Sequence, residues 1–345
     1  MRIGRNPFKG AGGVNKAYVP KRITVAVLTY IPNFEGYYQM RFETLKISIA
    51  SLIKNTEGEF DLLIFDNGSC PEVIEYIKSL YEQGVVDYLF LSGHNLGYNG
   101  ALNFIYSVSP GALVAYADDD VFYHPGWLHE CVTILETFPN VGYVTGCPVK
   151  NNFGHYDSAT LAFAKGDTVN VKESSWDPKW DEIQCNSLGA EIQAWKLKYE
   201  AIDVPLLEYR GVEALPVSSH FQYVFKKEVS DTFLPFAYGN LMSSELNNPE
   251  FNMLMQLDKK LDDAGFLKLT TNGMFTEHLG NVISPRCKEL IELYSLDIEL
   301  PRSKSYNWFA RLVYGTLSLP FIKKIFYLLY RFSFKVVHWK LIKKI

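Results

Sequence analysis

Paired cysteines are missing from this chain. Its five cysteines (Cys70, Cys131, Cys147, Cys185 and Cys287) are scattered, odd in number and never in a C-x-x-C pair, which argues against a disulfide framework or a zinc site and for a reducing compartment. Missing too is the apolar run of roughly 18 to 20 residues that spans a bilayer. The nearest stretch is the uncharged Leu312 to Ile322, closed by Arg311 and Lys323. Met1 to Tyr18 holds no apolar core of signal-peptide length, so the expectation is a cytoplasmic protein. There is no internal repeat, no low-complexity segment and no nucleic-acid recognition motif, so nucleic acid is not an expected partner. Acidic residues are absent from the C-terminal region: Leu300 to Ile345 carries ten Lys and Arg and neither Asp nor Glu. Removing those ten from the 34 basic residues leaves 24 against 38 acidic ones, so an acidic body carries a basic tail under a formal net charge of -4. A tail of that sign needs an anionic partner.

What is present is a globular composition, 48% hydrophobic with 15% aromatic residues, on 345 residues, enough to bury a large core. The first third alternates short β-branched runs with amphipathic stretches, the pattern of an α/β fold with a mainly parallel sheet. Strands are predicted over Ile23 to Tyr30, Asp61 to Phe65, Val86 to Leu91, Ala112 to Ala117 and Val141 to Pro148. Helices are predicted over Arg41 to Asn55, with Leu45, Ile49, Leu52 and Ile53 at helical spacing, and over Pro71 to Gln83. Residues 151–214 show no readable pattern. Beyond them, Leu215 to Phe225 and Phe266 to Thr270 read as strands. A helix reads from Asn248-Pro249-Glu250 to Ala264-Gly265, and Met274 to His278 leads into a Gly280-Asn281 loop.

Open sheets of this type bind ligands outside the carboxyl ends of their strands. Thr29-Tyr30, Asp66-Asn67, His94-Asn95 and Asp118-Asp119-Asp120 all fall at or just past such ends. One polar loop is routine, whereas four at one edge suggest a site. Three consecutive aspartates after the buried strand LVAYA need solvent or a cation to tolerate each other. In extended geometry Asp118 and Asp120 address one side while Asp119 faces away.

The ordered set formed by Thr29, the helix with Ser48 and Leu52, Asp66-Asn67-Gly68-Ser69, the loop Asn95-Leu96-Gly97 running to Asn103, and the aspartates followed by Pro125-Gly126-Trp127 resembles the family 2 glycosyltransferases of the GT-A fold. The resemblance covers Ile23 to Lys150 and continues more weakly to His278. It implies inverting transfer of a sugar from a nucleoside diphosphate donor, UDP before other nucleotides, with Mn²⁺ or Mg²⁺. It implies a donor site of Thr29, Tyr30, Asp66, Asn95, Gly97, Asn103, Asp118 and Asp119, in which Asp66 contacts the base and Asp118 the ribose or phosphate side. Asp120 would hold the metal, with Asp118 and His278 as further ligands, and imidazole would tilt the preference toward Mn²⁺. The family's catalytic base lies near the start of a helix that ends in an Ala-Gly-aromatic segment. Here Ala264-Gly265-Phe266 is present but the acidic pair is shifted, which leaves Glu250 as first candidate and Glu245 in reserve.

The expected organisation is an N-terminal extension (residues 1–20), a GT-A domain (21–285) and a C-terminal helical tail (286–345). Within the domain, residues 21–150 would bind the nucleotide sugar and 151–285 would form the acceptor side. Pro320 to Ile345 mixes basic residues with Phe, Tyr, Trp and aliphatics, a composition suited to the headgroup layer of an anionic membrane. That suggests a peripheral position on the inner face of the cell membrane and a glycan or lipid-linked acceptor in envelope synthesis. Two rivals remain. A sugar-phosphate nucleotidyltransferase would carry a Gly-rich loop with Arg and Lys after the first strand, where this chain has Tyr30-Ile31-Pro32-Asn33. A catalytically silent sugar-nucleotide-binding module is kept open by the altered acidic pair.

Overall fold

The computed structural model describes residues 18–173, 176–236 and 253–298. The chain divides into two units, Met1–Ile298 and Glu299–Ile345, and every element below lies in the first. In chain order these are β1 (Ile23–Thr29), α1 (Arg41–Asn55), β2 (Asp61–Asp66), α2 (Pro71–Glu82), β3 (Tyr88–Leu91), α3 (Gly97–Val108), β4 (Leu113–Asp118), β5 (Val121–Tyr123), α4 (Trp127–Thr137) and β6 (Val141–Thr145). There follow α5 (Ser158–Ala164), β7 (Asn170–Lys172), α6 (Pro178–Ser187), α7 (Ile192–Tyr199), β8 (Leu206–Tyr209), β9 (Val212–Leu215), β10 (Gln222–Lys226), α8 (Ser230–Phe233), α9 (Met253–Asp263), β11 (Leu267–Thr271), β12 (Thr276–His278) and α10 (Pro285–Leu293).

Among the described residues the strands form one large sheet, ordered β3-β2-β1-β4-β10-β6-β11-β9-β8-β7, and a two-stranded ribbon of β5 and β12. From β3 to β11 the strands run in one direction except β10, which is antiparallel to both its neighbours. The rest, β9, β8 and β7, is an antiparallel meander. The α/β layering expected from the sequence is present, with a core on each face of the sheet. Val25 and Val27 of β1 join Leu45, Ile49 and Leu52 of α1 and Ile134 of α4 on one face. Ala26 and Leu28 join Ala101, Ile105 and Tyr106 of α3 and Leu257 and Leu261 of α9 on the other. Side chains of a strand alternate between faces, so a strand covered on both sides reads as an unbroken apolar run.

One expectation needs correction. The strand predicted over Leu215 to Phe225 is two strands, β9 and β10, that sit apart in the sheet with β6 and β11 between them. Pro216 has no amide hydrogen to give a ladder and ends the first of them. The first unit includes α10 and runs on to Ile298. The start of the helix predicted at Asn248-Pro249-Glu250 lies outside the described residues, as do the N-terminal extension up to residue 17 and the tail from residue 299, while the helix body is present as α9.

Candidate active site

Parallel pairing brings the ends of β2, β1 and β4 to one edge of the sheet. Thr29 is in register with Asp66, and Leu28 with Asp118. At the end of β2 the carboxylate of Asp66, fully buried, accepts hydrogen bonds from the amides of Gly68 (3.1 Å) and Ser69 (3.1 Å) and so fixes the loop that follows. Asn67 reaches across to the next loop: its carbonyl oxygen accepts from the Leu96 amide (2.8 Å), and its amide donates to Asn95 Oδ1 (3.0 Å) and to the Gly97 carbonyl (3.4 Å). Gly68 permits this, because at φ +94° a side chain is strained and a Cβ there would stand 3.2 Å from the His94 backbone. Asn95 itself accepts from the Gly97 amide (2.7 Å). Tyr30 is half-buried with its ring edge-on to Tyr38. Asn103 lies elsewhere: both ends of its amide are engaged by the Phe236 backbone, at 2.7 and 3.0 Å.

The three aspartates are the centre of the arrangement. β4 ends at Asp118 and the chain turns through Asp119 and Asp120 before β5, so the alternation of an extended strand stops there. Asp119 therefore does not face away, as extended geometry had suggested; it points inward, accepting from Thr29 Oγ1 (2.5 Å) and pairing with Arg41. Asp120 pairs with the same guanidinium and with His278 Nε2 (3.2 Å). Asp118 accepts from the hydroxyls of Tyr116 (2.5 Å) and Tyr98 (3.3 Å). His278 arrives from the far end of the domain because β12 pairs with β5, His278 opposite Val121, and Leu279 donates its amide to the Asp120 carbonyl (2.7 Å). Its other ring nitrogen lies 3.2 Å from Ser187 Oγ at the end of α6.

Burial makes this cluster electrostatically unbalanced. Three carboxylates face one arginine and one titratable imidazole. Burial, and then repulsion from Asp120, raise the pKa of Asp118; burial likewise raises Asp119 against the pull of Arg41. Asp120 goes the other way: burial would raise it, but His278 and Arg41 hold it below the usual carboxylate range. Burial opposes protonation of His278, yet Asp120, with Asp118 behind it, raises its pKa above the ordinary value. Tyr98 and Tyr116 are raised well above the phenolic range, by burial first and Asp118 second, and so remain hydrogen-bond donors. The residual negative charge fits a divalent cation. Among the described residues no group of three or more His, Cys, Asp or Glu is arranged to hold a metal, so the protein would give one or two groups and substrate oxygens the rest, the habit of Mg²⁺ at phosphate sites.

Residues 33–189 match the family described as glycosyl transferase family 2. That match spans 157 of the 345 residues, a little under half of the chain. An uncharacterized glycosyltransferase of Nostoc sp. is 29% identical to it over 121 residues, which span 35% of each protein, so the match covers about a third of that relative's length. Among solved structures, this chain is similar to residues 1–349 of TarS from S. aureus (12% identity, TM-score 0.41, 81% of this chain and 67% of that one). It is also similar to the mannosyltransferase PcManGT from Pyrobaculum calidifontis (15% identity, TM-score 0.43, 78% and 60%).

Arg41, Tyr98 and Tyr116 were not among the residues singled out from the sequence. Arg41 alone left a trace: it is the first residue of α1, where the helix dipole disfavours a cation, so a compensating anion was to be expected nearby. The tyrosines leave no such sign, since a ring on a buried strand, as at Tyr116, or at the start of a helix, as at Tyr98, is ordinarily part of the packing. Glu245 and Glu250 lie outside the described residues.

Proposed function

We propose that this enzyme is a metal-dependent inverting glycosyltransferase that moves a sugar from a nucleoside diphosphate donor, UDP first among the nucleotides, to a hydroxyl of a glycan or lipid-linked acceptor. The observation that carries the reading is the buried Asp118-Asp119-Asp120 cluster at the carboxyl edge of the sheet, with more negative charge than Arg41 and His278 neutralise. Asp120, with Asp118 or His278, would hold Mn²⁺ or Mg²⁺. The bound ion would supply electrostatic stabilisation of the leaving diphosphate.

The chain's own residues do the remaining work. The nucleoside end would lie at the loop that Asp66 and Asn67 hold in place beside Asn95 and Gly97. Tyr98 and Tyr116 hold Asp118 in one orientation, and Thr29 does the same for Asp119. Arg41 pairs with two of the three carboxylates and holds them in place, so little reorganisation is needed as charge develops. Glu250, with Glu245 in reserve, is the proposed base for the acceptor proton. The basic tail would rest on anionic lipid at the inner face of the cell membrane, where a lipid-linked acceptor for envelope synthesis would be found. No helix among the described residues is long and apolar enough to cross a membrane.

The reading is tested by release of UDP from UDP-sugars with Mn²⁺, with Mg²⁺ and with chelator. Activity that is metal-dependent in the wild type and absent in Asp120→Asn supports it, and equal turnover in chelator overturns it.

A further inference from the structure

The face of the sheet that carries the Asp118 side chain holds a second polar pair, one strand further along. Asp118 is gripped by Tyr116 of β4 and Tyr98 of α3, both part of the core shared with α9. Just before β10, the neighbour of β4, His220 Nε2 lies 3.0 Å from the buried carboxylate of Asp258 on α9. Tyr143 donates to Asp258 from the same core (2.7 Å), and Tyr223 stands between the two groups with its ring 5.2 Å from Tyr116 and 5.2 Å from Tyr143. The backbone ties them more closely: the Phe221 carbonyl accepts the Asp118 amide (2.8 Å), and the Phe221 ring lies 5.4 Å from that of His278. His220 is thus one residue away from contacts with both Asp118 and His278.

Burial would raise the pKa of Asp258, but His220, Lys268 and Tyr143 hold it at about 2. At neutral pH it is therefore a carboxylate that can only accept, so Nε2 of His220 carries a hydrogen and the neutral ring keeps its lone pair on Nδ1. Nδ1 makes no hydrogen bond among the described residues, and the side chain is 16% exposed at the sheet edge. A histidine oriented by a buried carboxylate, with its other nitrogen spare, is a common form of general base. Beside it Ser219 is buried, and its hydroxyl has no hydrogen-bond partner among the described residues, an unmet polar group of the kind a bound molecule satisfies.

The order of strands gives the pair a task. It runs β2, β1, β4, β10, so a donor lying with its nucleoside at Asp66 and its diphosphate at Asp118 and Asp120 directs its sugar toward β10. Inversion requires attack from the face opposite the leaving group, with the base on that side. We propose that His220, oriented by Asp258, is the base that takes the acceptor's proton, ahead of Glu250. This rests on the transfer reaction proposed above. The acceptor oxygen bonds to the anomeric carbon, the bond from that carbon to the diphosphate oxygen breaks with its electron pair leaving on the nucleoside diphosphate, and the acceptor's proton passes to Nδ1. Asp258 balances the imidazolium that forms.

The test uses the full chain with Mn²⁺, a panel of UDP-glucose, UDP-N-acetylglucosamine, UDP-galactose and GDP-mannose as donors, and water or azide as acceptor. Water must lose a proton to attack, whereas azide has none to lose. His220→Asn and His220→Ala are expected to bind UDP or GDP within about twofold of wild type by calorimetry, to release nucleotide in water about 100-fold or more slowly, and to regain turnover with azide to within about threefold of wild type as glycosyl azide forms. A purely structural role would slow both acceptors alike, so an equal loss with water and azide overturns the proposal, as does wild-type release in water by the variants. A loss in Glu250→Gln that azide bypasses, with His220→Asn still active in water, overturns it too and gives the base to the helix. Should one His220 variant fail to fold, the other decides. Wild-type transfer to azide keeps the donor reading standing whichever way the His220 variants fall; a wild type that transfers from no donor to either acceptor overturns the transfer reaction and the base together.

Discussion

Asparagine at position 120 keeps the shape of aspartate and removes its charge, so it separates holding a cation from filling space. Asp120→Asn is expected to lower metal-dependent turnover by about 100-fold or more, since a group acting on developing charge is worth roughly 3–4 kcal/mol. Initial rates across a manganese titration check this. Tyr116→Phe deletes one hydroxyl that donates to Asp118. A hydrogen bond to a charged group contributes about 1.5–3 kcal/mol, so the variant should bind nucleotide and manganese about tenfold or more weakly while melting close to wild type, readable by calorimetry and thermal denaturation. Arg41→Met should do the reverse of a mild change. It strands two buried carboxylates, a loss of about 3–5 kcal/mol where a buried pair is broken, and a drop in Tm in chelator that manganese partly restores would show that the cluster wants positive charge.

At the scale of elements, the contact between α6 and β12 depends on Gly280. A Cβ there would stand 2.6 Å from the Ser187 carbonyl oxygen, and its φ of +75° is strained for any side chain. Gly280→Ala should cost about 1–3 kcal/mol, pull Ser187 from His278 and lower Tm. Much of the fold was legible for a physical reason visible in β1 and β4: strands buried on both faces leave unbroken apolar runs, and their ends leave polar clusters where side chains stop packing. The elements between residues 151 and 214 were not legible. α6 buries only Gln184 and Cys185, so it has no apolar stripe to read, and β7 is three exposed residues. Within the site, Asp118, Asp120 and His278 were grouped through the resemblance and not through any local pattern, because the ribbon of β5 and β12 pairs residues some 155 positions apart, far beyond local periodicity. Asn103 has a task that its place in an ordered motif did not disclose: its amide holds the Phe236 backbone.

For the whole molecule, acid sensitivity should trace to a buried cluster away from the aspartates. Asp258 accepts from Tyr143 (2.7 Å) and His220 (3.0 Å) and pairs with Lys268 (3.2 Å), which also meets Asp157 (3.0 Å). Burial alone would raise the pKa of Asp258, but His220, Lys268 and Tyr143 hold it at about 2. An unfolded aspartate titrates near 3.9, so the stability this group contributes is present above about pH 4 and lost as pH falls toward 2. Asp157, raised by burial, works in the opposite direction, which is why the comparison needs Asp258→Asn: the variant should be less stable than wild type at neutral pH, with the gap narrowing between pH 4 and 2 in denaturant titrations. Another consequence concerns chain length. Because Asp120 and His278 meet through a ladder and not through the chain between them, their spacing is set by the pairing of β5 with β12 and not by the number of residues that separate them. A single residue gained or lost within Thr276 to His278 would instead turn every side chain of that strand over and deliver Glu277 to the place of the imidazole.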